Sequence, residues 1–183
     1  MLHRFRWQKD MYCIPGVKTF EHTKIVGVEN IQFGNNILID DFAFVYARGR
    51  IKIGNHVHIA CFASITGGAD LEIGDFSAIS QGARVLTATD DFKDWGFGNS
   101  TVPEEYRNAT RAPVSIGRFC IIGANSVVLP GVAIGEGATV GAGTVVTRNL
   151  EPWGVYLGNQ RIRERNKDGV LKNFERFKAA LPK

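Results

Sequence analysis

Histidine is the side chain whose ordinary titration lies nearest neutral pH, so a chain with only four of them offers few proton-transferring bases. They are His3, His22, His56 and His58. His3 belongs to the basic opening HRFRWQK and His22 precedes any regular pattern, and both read as solvated or locally packed side chains. His56 and His58 stand two apart in NHVHIACF, where the alternation of an extended strand sends both to one side and Val57 and Ile59 to the other. An outward imidazole in mid-strand is either a surface or contact residue, or a base that removes a proton from a hydroxyl or amino group as it attacks a carbonyl. The second chemical pair is Asp90 and Asp91 in TATDDF. Adjacent aspartates end a strand by bonding their own turn. Alternatively, one orients an imidazole and stabilises its charged form, or serves as the base itself where desolvation favours its protonated form. Cys13, Cys61 and Cys120 are odd in number, widely spaced and in no CxxC pair. Neither a disulfide framework nor a zinc site is indicated, and Cys61 and Cys120 read as core or wall residues rather than nucleophiles.

What positions these groups is a repeat. Branched aliphatics fall six apart at Ile116, Ile122, Val128, Ile134, Val140 and Val146, and four residues past each comes Cys120, Ser126, Val132, Ala138 or Thr144. The same beat runs earlier through Phe33, Ile39 and Val45, then Ile53, Ile59 and Ile65, then Ile73, Ile79 and Val85, with two extra residues after every third unit. A helix cannot hold a period of six, because six residues at about 3.6 per turn carry the apolar position right round the axis. Short strands joined by tight turns can. The modest residue and the next unit's aliphatic point inward together, three strands close a triangular coil, and stacked coils bury one aliphatic column. The spacing therefore predicts an all-β fold, a parallel β-helix of about five coils over residues 25–160, with Gly and Asn at corners that need positive φ. Residues 1–24 form an N-terminal arm. In DGVLKNFERFKAALPK the apolar residues have helical spacing, so the 161–183 tail is expected to end in a helix beside the prism.

The beat stops from about 91 to 113 and then resumes. A prism tolerates such an excursion because the coils on either side are satisfied internally, so the segment becomes a loop projecting from an edge toward a neighbour. The loop contains Trp95, Asn99, Glu104, Glu105 and Tyr106, groups suited to stacking on a ring and bonding sugar hydroxyls; aromatic loop residues also serve as hydrophobic latches. One domain of 183 residues, 44 % hydrophobic and 22 % charged, is ordinary for a soluble protein. With no long apolar run and no signal-like start, a cytoplasmic location is the default. The net charge of +4 gathers at the two ends, which suits a small polyanionic ligand as well as nucleic acid.

The units IGRFCI, IGANSV, VLPGVA, IGEGAT and VGAGTV resemble the hexapeptide-repeat acyltransferases, nearest to their galactoside, maltose and xenobiotic acetyltransferase branch. The resemblance covers roughly residues 25–160. It implies a left-handed β-helix, a homotrimer, and acetyl-CoA bound between neighbouring prisms; no metal is expected. It implies that the pantetheine arm lies along the late coils, where Ala124 in GAN and Ala142 in GAG give room, and that Thr147 and Arg148 contact adenosine and phosphate. Arg161 and Arg163 in GNQRIR would add charge near the 3′-phosphate, since guanidinium forks suit phosphate oxygens. The excluded loop would then supply the acceptor pocket through Asn99, Glu105 and Tyr106. Many of these enzymes place a catalytic His where this chain has Asp90, so the base is expected to be His58, or Asp90 or Asp91. Paired aspartates with TVPEEY in the loop resemble acetyltransferases of surface-polysaccharide, including lipopolysaccharide, biosynthesis. The acceptor expected is a sugar or nucleotide sugar, whose hydroxyl or amino group attacks the thioester directly. Two alternatives are a non-catalytic trimeric scaffold, and a zinc carbonic anhydrase, which needs three converging histidines. Nucleic acid and stable membrane insertion are not expected.

Overall fold

The computed structural model describes residues 12–181. The basic opening HRFRWQK, His3 included, lies outside them. The chain winds a left-handed parallel β-helix of about 7 turns. The first face stacks Val17–Lys18, Ile37–Ile39, His58–Ile59, Ala78–Ile79, Ile121–Ile122, Thr139–Val140 and Gly154–Leu157 in parallel, and Gln160–Glu164 returns antiparallel at its end. The second face runs from Lys24–Val26 through Phe44–Tyr46, Ser64–Thr66, Arg84–Leu86 and Val127–Val128 to Val145–Val146. The third runs from Ile31–Phe33 through Ile51–Ile53, Leu71–Ile73 and Val114–Ile116 to Ala133–Ile134.

The six-residue beat becomes the core directly. Ile39, Ile59, Ile79, Ile122 and Val140 lie in register on the first face, and all are buried. Each fully buried aliphatic contributes roughly 1.5–3 kcal/mol. Inward polar residues bond the next coil: Ser126 Oγ donates to the Gly141 carbonyl at 2.9 Å and accepts the Thr144 N–H at 3.2 Å. Successive coils stack so tightly that a Cβ on Gly34 would lie 2.8 Å from the Gly54 carbonyl carbon, which explains the glycine recurring at that edge.

The structure extends the prism at both ends beyond the expected five coils. The first turn begins at Val17 with Thr19, Thr23 and Ile25 turned inward, and threonines hide the aliphatic beat. After Val146 the column continues through Leu150 and Tyr156, and residues 160–164 form a strand before the helix Lys167–Ala180 begins. Asn166 caps that helix, accepting the Gly169 N–H at 2.9 Å.

The corners also differ from expectation. Several positive-φ positions are Asn or Gly, but Phe42, His56, Phe62, Phe76, Phe119 and Trp153 adopt the same left-handed conformation. Placing a side chain there costs about 1–2 kcal/mol. The compensation is stacking between coils: Phe42 lies over Phe62 with centroids 5.3 Å apart, His56 over Phe76 at 4.6 Å, and Phe76 over Phe119 at 5.5 Å. Such a contact is worth about 0.5–1.5 kcal/mol beyond the area it buries. Phe174 and Phe177 of the helix meet the His56–Phe76–Phe119 column edge-on, as the helical spacing of the tail predicts.

Candidate active site

His58 follows from its strand: Val57 and Ile59 are buried, so its ring points outward from the first face, where its side chain is 44 % exposed. Its Nε2 lies 2.9 Å from Asp40 Oδ2. Facing an accepting carboxylate, Nε2 must carry the hydrogen, which leaves the lone pair on Nδ1 free to take a proton. Asp40 was legible as a neighbour, since a twenty-residue coil puts Leu38 beside His58 and Asp40 just beyond it. His56 has a different task, stacked in the corner column under the helix, and His22 stacks on Phe42 with its Nδ1 3.1 Å from Asp41.

The excursion leaves the corner between the second and third faces, opposite the first face. Ala88–Thr89 and Thr110–Arg111 pair antiparallel and pinch its base, so the loop proper is 90–109. Asp90 is the first residue past this ribbon, with its carboxylate 3.9 Å from Arg107 Nη2. Asp91 is spent on the loop itself. It accepts the N–H groups of Lys93 at 3.0 Å, Asp94 at 2.7 Å and Gly96 at 2.9 Å, and Asn108 Nδ2 at 3.1 Å. The backbone donors at Asp94, Lys93 and Gly96 hold its carboxyl well below the usual carboxylate range, so its geometry is that of a loop organiser and not of a base.

Asn99 turns its side-chain oxygen to the backbone N–H and hydroxyl of Thr101, and Glu105 and Tyr106 lie on a short 3-10 turn, Glu104–Tyr106, facing solvent. Phe92, Trp95, Phe97 and Tyr106 are all exposed, Phe92 by 88 %. Four large aromatic side chains are thus left uncovered on one loop. His58 and Asp90 make no contact within the chain, because the prism lies between them.

Ala124 and Ala142 sit on the corner between the first and second faces in successive late coils, where the Gly143 N–H donates to the Ala124 carbonyl at 2.8 Å. Thr147 is clamped by Asn159: its N–H donates to Oδ1 at 2.9 Å, and Asn159 Nδ2 donates to its hydroxyl at 2.7 Å. Arg161 and Arg163 lie on the returning strand. Arg161 is engaged by Glu164, whereas Arg148 and Arg163 are exposed and, among the described residues, in no ion pair. Arg165, from the same basic run, is structural and donates to the carbonyls of Phe119 and Gly137. Cys120 is buried, its thiol pushed up to about 12 by that burial, and is inert. Among the described residues no cluster of His, Cys, Asp or Glu is placed to share a metal ion, and no helix is long and apolar enough to cross a membrane.

A family model described as the hexapeptide repeat of succinyl-transferase matches residues 113–148. The dTDP-4-amino-4,6-dideoxy-D-glucose acyltransferase of Escherichia coli is 37 % identical over 154 residues, covering 82 % of this chain and 80 % of that one. A point mutant of the N-acyltransferase AntD of Bacillus cereus, solved with dTDP-4-amino-4,6-dideoxyglucose and coenzyme A, superimposes with a TM-score of 0.84 at 33 % identity over 90 % of this chain and 89 % of its own. AntD has also been solved with dTDP and 3-hydroxybutyryl-CoA, at a TM-score of 0.82 and 34 % identity, covering 90 % of this chain and 88 % of AntD. The chain belongs to the hexapeptide-repeat acyltransferases.

Proposed function

We propose that this protein transfers an acetyl group from acetyl-CoA to the amino group of a nucleotide-linked amino sugar. The observation that carries this is the reach of the likeness: it runs over about nine-tenths of the chain in a nucleotide-amino-sugar acyltransferase, well beyond the repeat itself. Acetyl-CoA would lie along the late coils, with its pantetheine arm beside Ala124 and Ala142, its adenosine end at Thr147, and its phosphates near Arg148 and Arg163. Arg161 would have to leave Glu164 to join them.

The active assembly is a homotrimer with its site between copies. Two observations support this: the uncovered aromatic residues of the loop, and the position of His58 on the face opposite the loop's root. The loop of one copy would cover the first face of its neighbour, bringing Asp90 toward His58 and offering Asn99, Glu105 and Tyr106 to the sugar. His58 Nδ1 takes the amine's proton as nitrogen attacks the thioester carbonyl. The N–C bond forms, the C–S bond breaks, and the thiolate leaves to be protonated as free coenzyme A, so no acyl-enzyme is needed. Asp40 keeps the imidazole in the tautomer that leaves Nδ1 basic. An enzyme of this kind serves cytoplasmic assembly of activated sugars for surface polysaccharides.

The test is thiol release from acetyl-CoA with dTDP-4-amino-4,6-dideoxyglucose and with its 4-hydroxy counterpart, the product being read by mass. The reading expects an acetamide product and at most slow turnover of the alcohol, with acetyl-CoA used faster than 3-hydroxybutyryl-CoA. Thiol release no faster than hydrolysis with both acceptors contradicts it.

A further inference from the structure

We propose that Arg48 and Arg111, converging over the Gly67–Gly68 turn at the root of the loop, form a binding site for the diphosphate of the nucleotide-linked acceptor. The proposal rests on the acceptor reading above and adds to it the groups that read the nucleotide. A Cβ on Gly68 would stand 3.3 Å from Arg111 Nε and 3.7 Å from Arg48 Cδ, so two guanidinium stems meet above one residue that has no side chain. Two cationic side chains set over one turn repel each other, and an anion lying between them removes that repulsion.

The protein supplies little to offset that repulsion. Glu104 Oε1 lies 3.7 Å from Arg111 Nη2, beyond hydrogen-bond distance and largely exposed. Among the described residues Arg48 is in no ion pair. Arg50, two residues along, shows what a structural arginine does here: its Nη2 and Nε grip Asp70 Oδ2 at 2.7 and 3.2 Å. Arg107, on the returning limb of the same loop, has a buried Nε with no partner.

The turn beneath is fixed. Gly67 has φ +137, and a Cβ there would strike Thr87 Oγ1 at 2.2 Å, so the turn is pressed onto the last residue before the loop ribbon. The Gly68 and Ala69 N–H groups both donate to that hydroxyl, at 3.1 and 3.2 Å. The backbone donors are therefore taken, and the charge for an anion must come from guanidinium forks, which match phosphate oxygens two at a time. A groove of about 800 Å³ lies over the third face, lined by Arg50, Asp70 and Pro113, each two residues along the chain from Arg48, Gly68 and Arg111, with room for what a diphosphate links. Coenzyme A also carries a diphosphate, but its proposed contacts, Ala142, Thr147 and Arg148, belong to the last coils, whereas Arg48 and Arg111 lie in the middle of the prism.

The test is calorimetric titration of the trimer with dTDP, thymidine, pyrophosphate and coenzyme A. It compares wild type, the double variant Arg48→Gln with Arg111→Gln, and Glu104→Gln, with circular dichroism as the fold control. The site predicts that the double variant loses about tenfold or more in dTDP and pyrophosphate affinity while thymidine and coenzyme A bind as in wild type. Glu104→Gln should tighten dTDP, because a competing carboxylate is gone. Wild-type dTDP affinity in the double variant overturns the site and leaves the acceptor reading intact. Pyrophosphate bound through the two arginines without any dTDP binding keeps the anion site and removes the nucleotide. A double variant that weakens coenzyme A instead assigns the arginines to the cofactor and overturns the proposal, as does a wild type that binds neither dTDP nor pyrophosphate.

Discussion

The 2.9 Å contact between His58 Nε2 and Asp40 Oδ2 joins two residues eighteen apart in sequence and decides which ring nitrogen of the histidine carries the hydrogen. His58→Ala should therefore lower kcat by about 10²–10⁴ with coenzyme A affinity unchanged, the range for a positioned general base. Asp40→Asn should lower kcat by at least about tenfold, because the amide can donate to Nε2 and favour the wrong tautomer. Asp90→Asn should cost less than His58→Ala. Turnover at saturating acetyl-CoA across the pH range checks all three, and an Asp90 variant that falls further than the His58 variant would move the base to the aspartate.

The loop is separable from the prism. Replacing residues 92–112 by a short Gly–Ser link should leave the coils folded, since they hydrogen-bond each other above and below it, while abolishing acceptor turnover and retaining coenzyme A binding in part. Loss of the folded assembly in circular dichroism and light scattering would make the loop structural instead.

Asp91 gives the loop an acid limit. Its proton affinity is depressed in the folded loop by three backbone donors, so its contribution to loop order is complete above about pH 4 and is lost as the pH falls toward the folded value. Protease nicking of the loop should be flat from pH 5 to 8 and rise below about pH 4. In Asp91→Asn it should be high at every pH, because one amide oxygen cannot serve three N–H groups. A variant with wild-type nicking would show that the loop is held by other contacts.

The aromatic corner can be tested for its compensated strain. Phe76→Ala should destabilise by about 2–3 kcal/mol, losing its stacks on His56 and Phe119 while keeping a side chain at positive φ. Phe76→Gly should cost less than Phe76→Ala, the reverse of the usual order. Thermal unfolding measures both.

These corners mark where the sequence stopped being readable. The beat at Ile116, Ile122 and Val128 announced the core because a buried aliphatic repeats with the coil, and the same arithmetic placed His58 outward. Phe42 and Phe76 gave no turn signal, because their conformation is stabilised by partners twenty or more residues away and not by their own chemistry. Val17 and Thr23 were missed as part of a first coil for a related reason: an inward threonine whose hydroxyl donates to carbonyls of the next coil, as Thr23 does to Ile39 and Asp40, looks like surface in a hydropathy pattern. Asp90 and Asp91 looked equivalent as a pair. Only the folded loop separates them, turning one carboxylate into its own backbone and leaving the other beside Arg107.

That separation bears on the central claim, a site assembled from the first face of one copy and the loop of the next. The most direct measurement is complementation between two inactive proteins, His58→Ala and the loop-replaced chain, co-refolded in equal amounts. Random trimers around a head-to-tail ring should place an intact His58 face against an intact loop at about a quarter of interfaces, restoring about a quarter of wild-type turnover. Mixed trimers, verified by mass, that stay inactive would contradict a shared site.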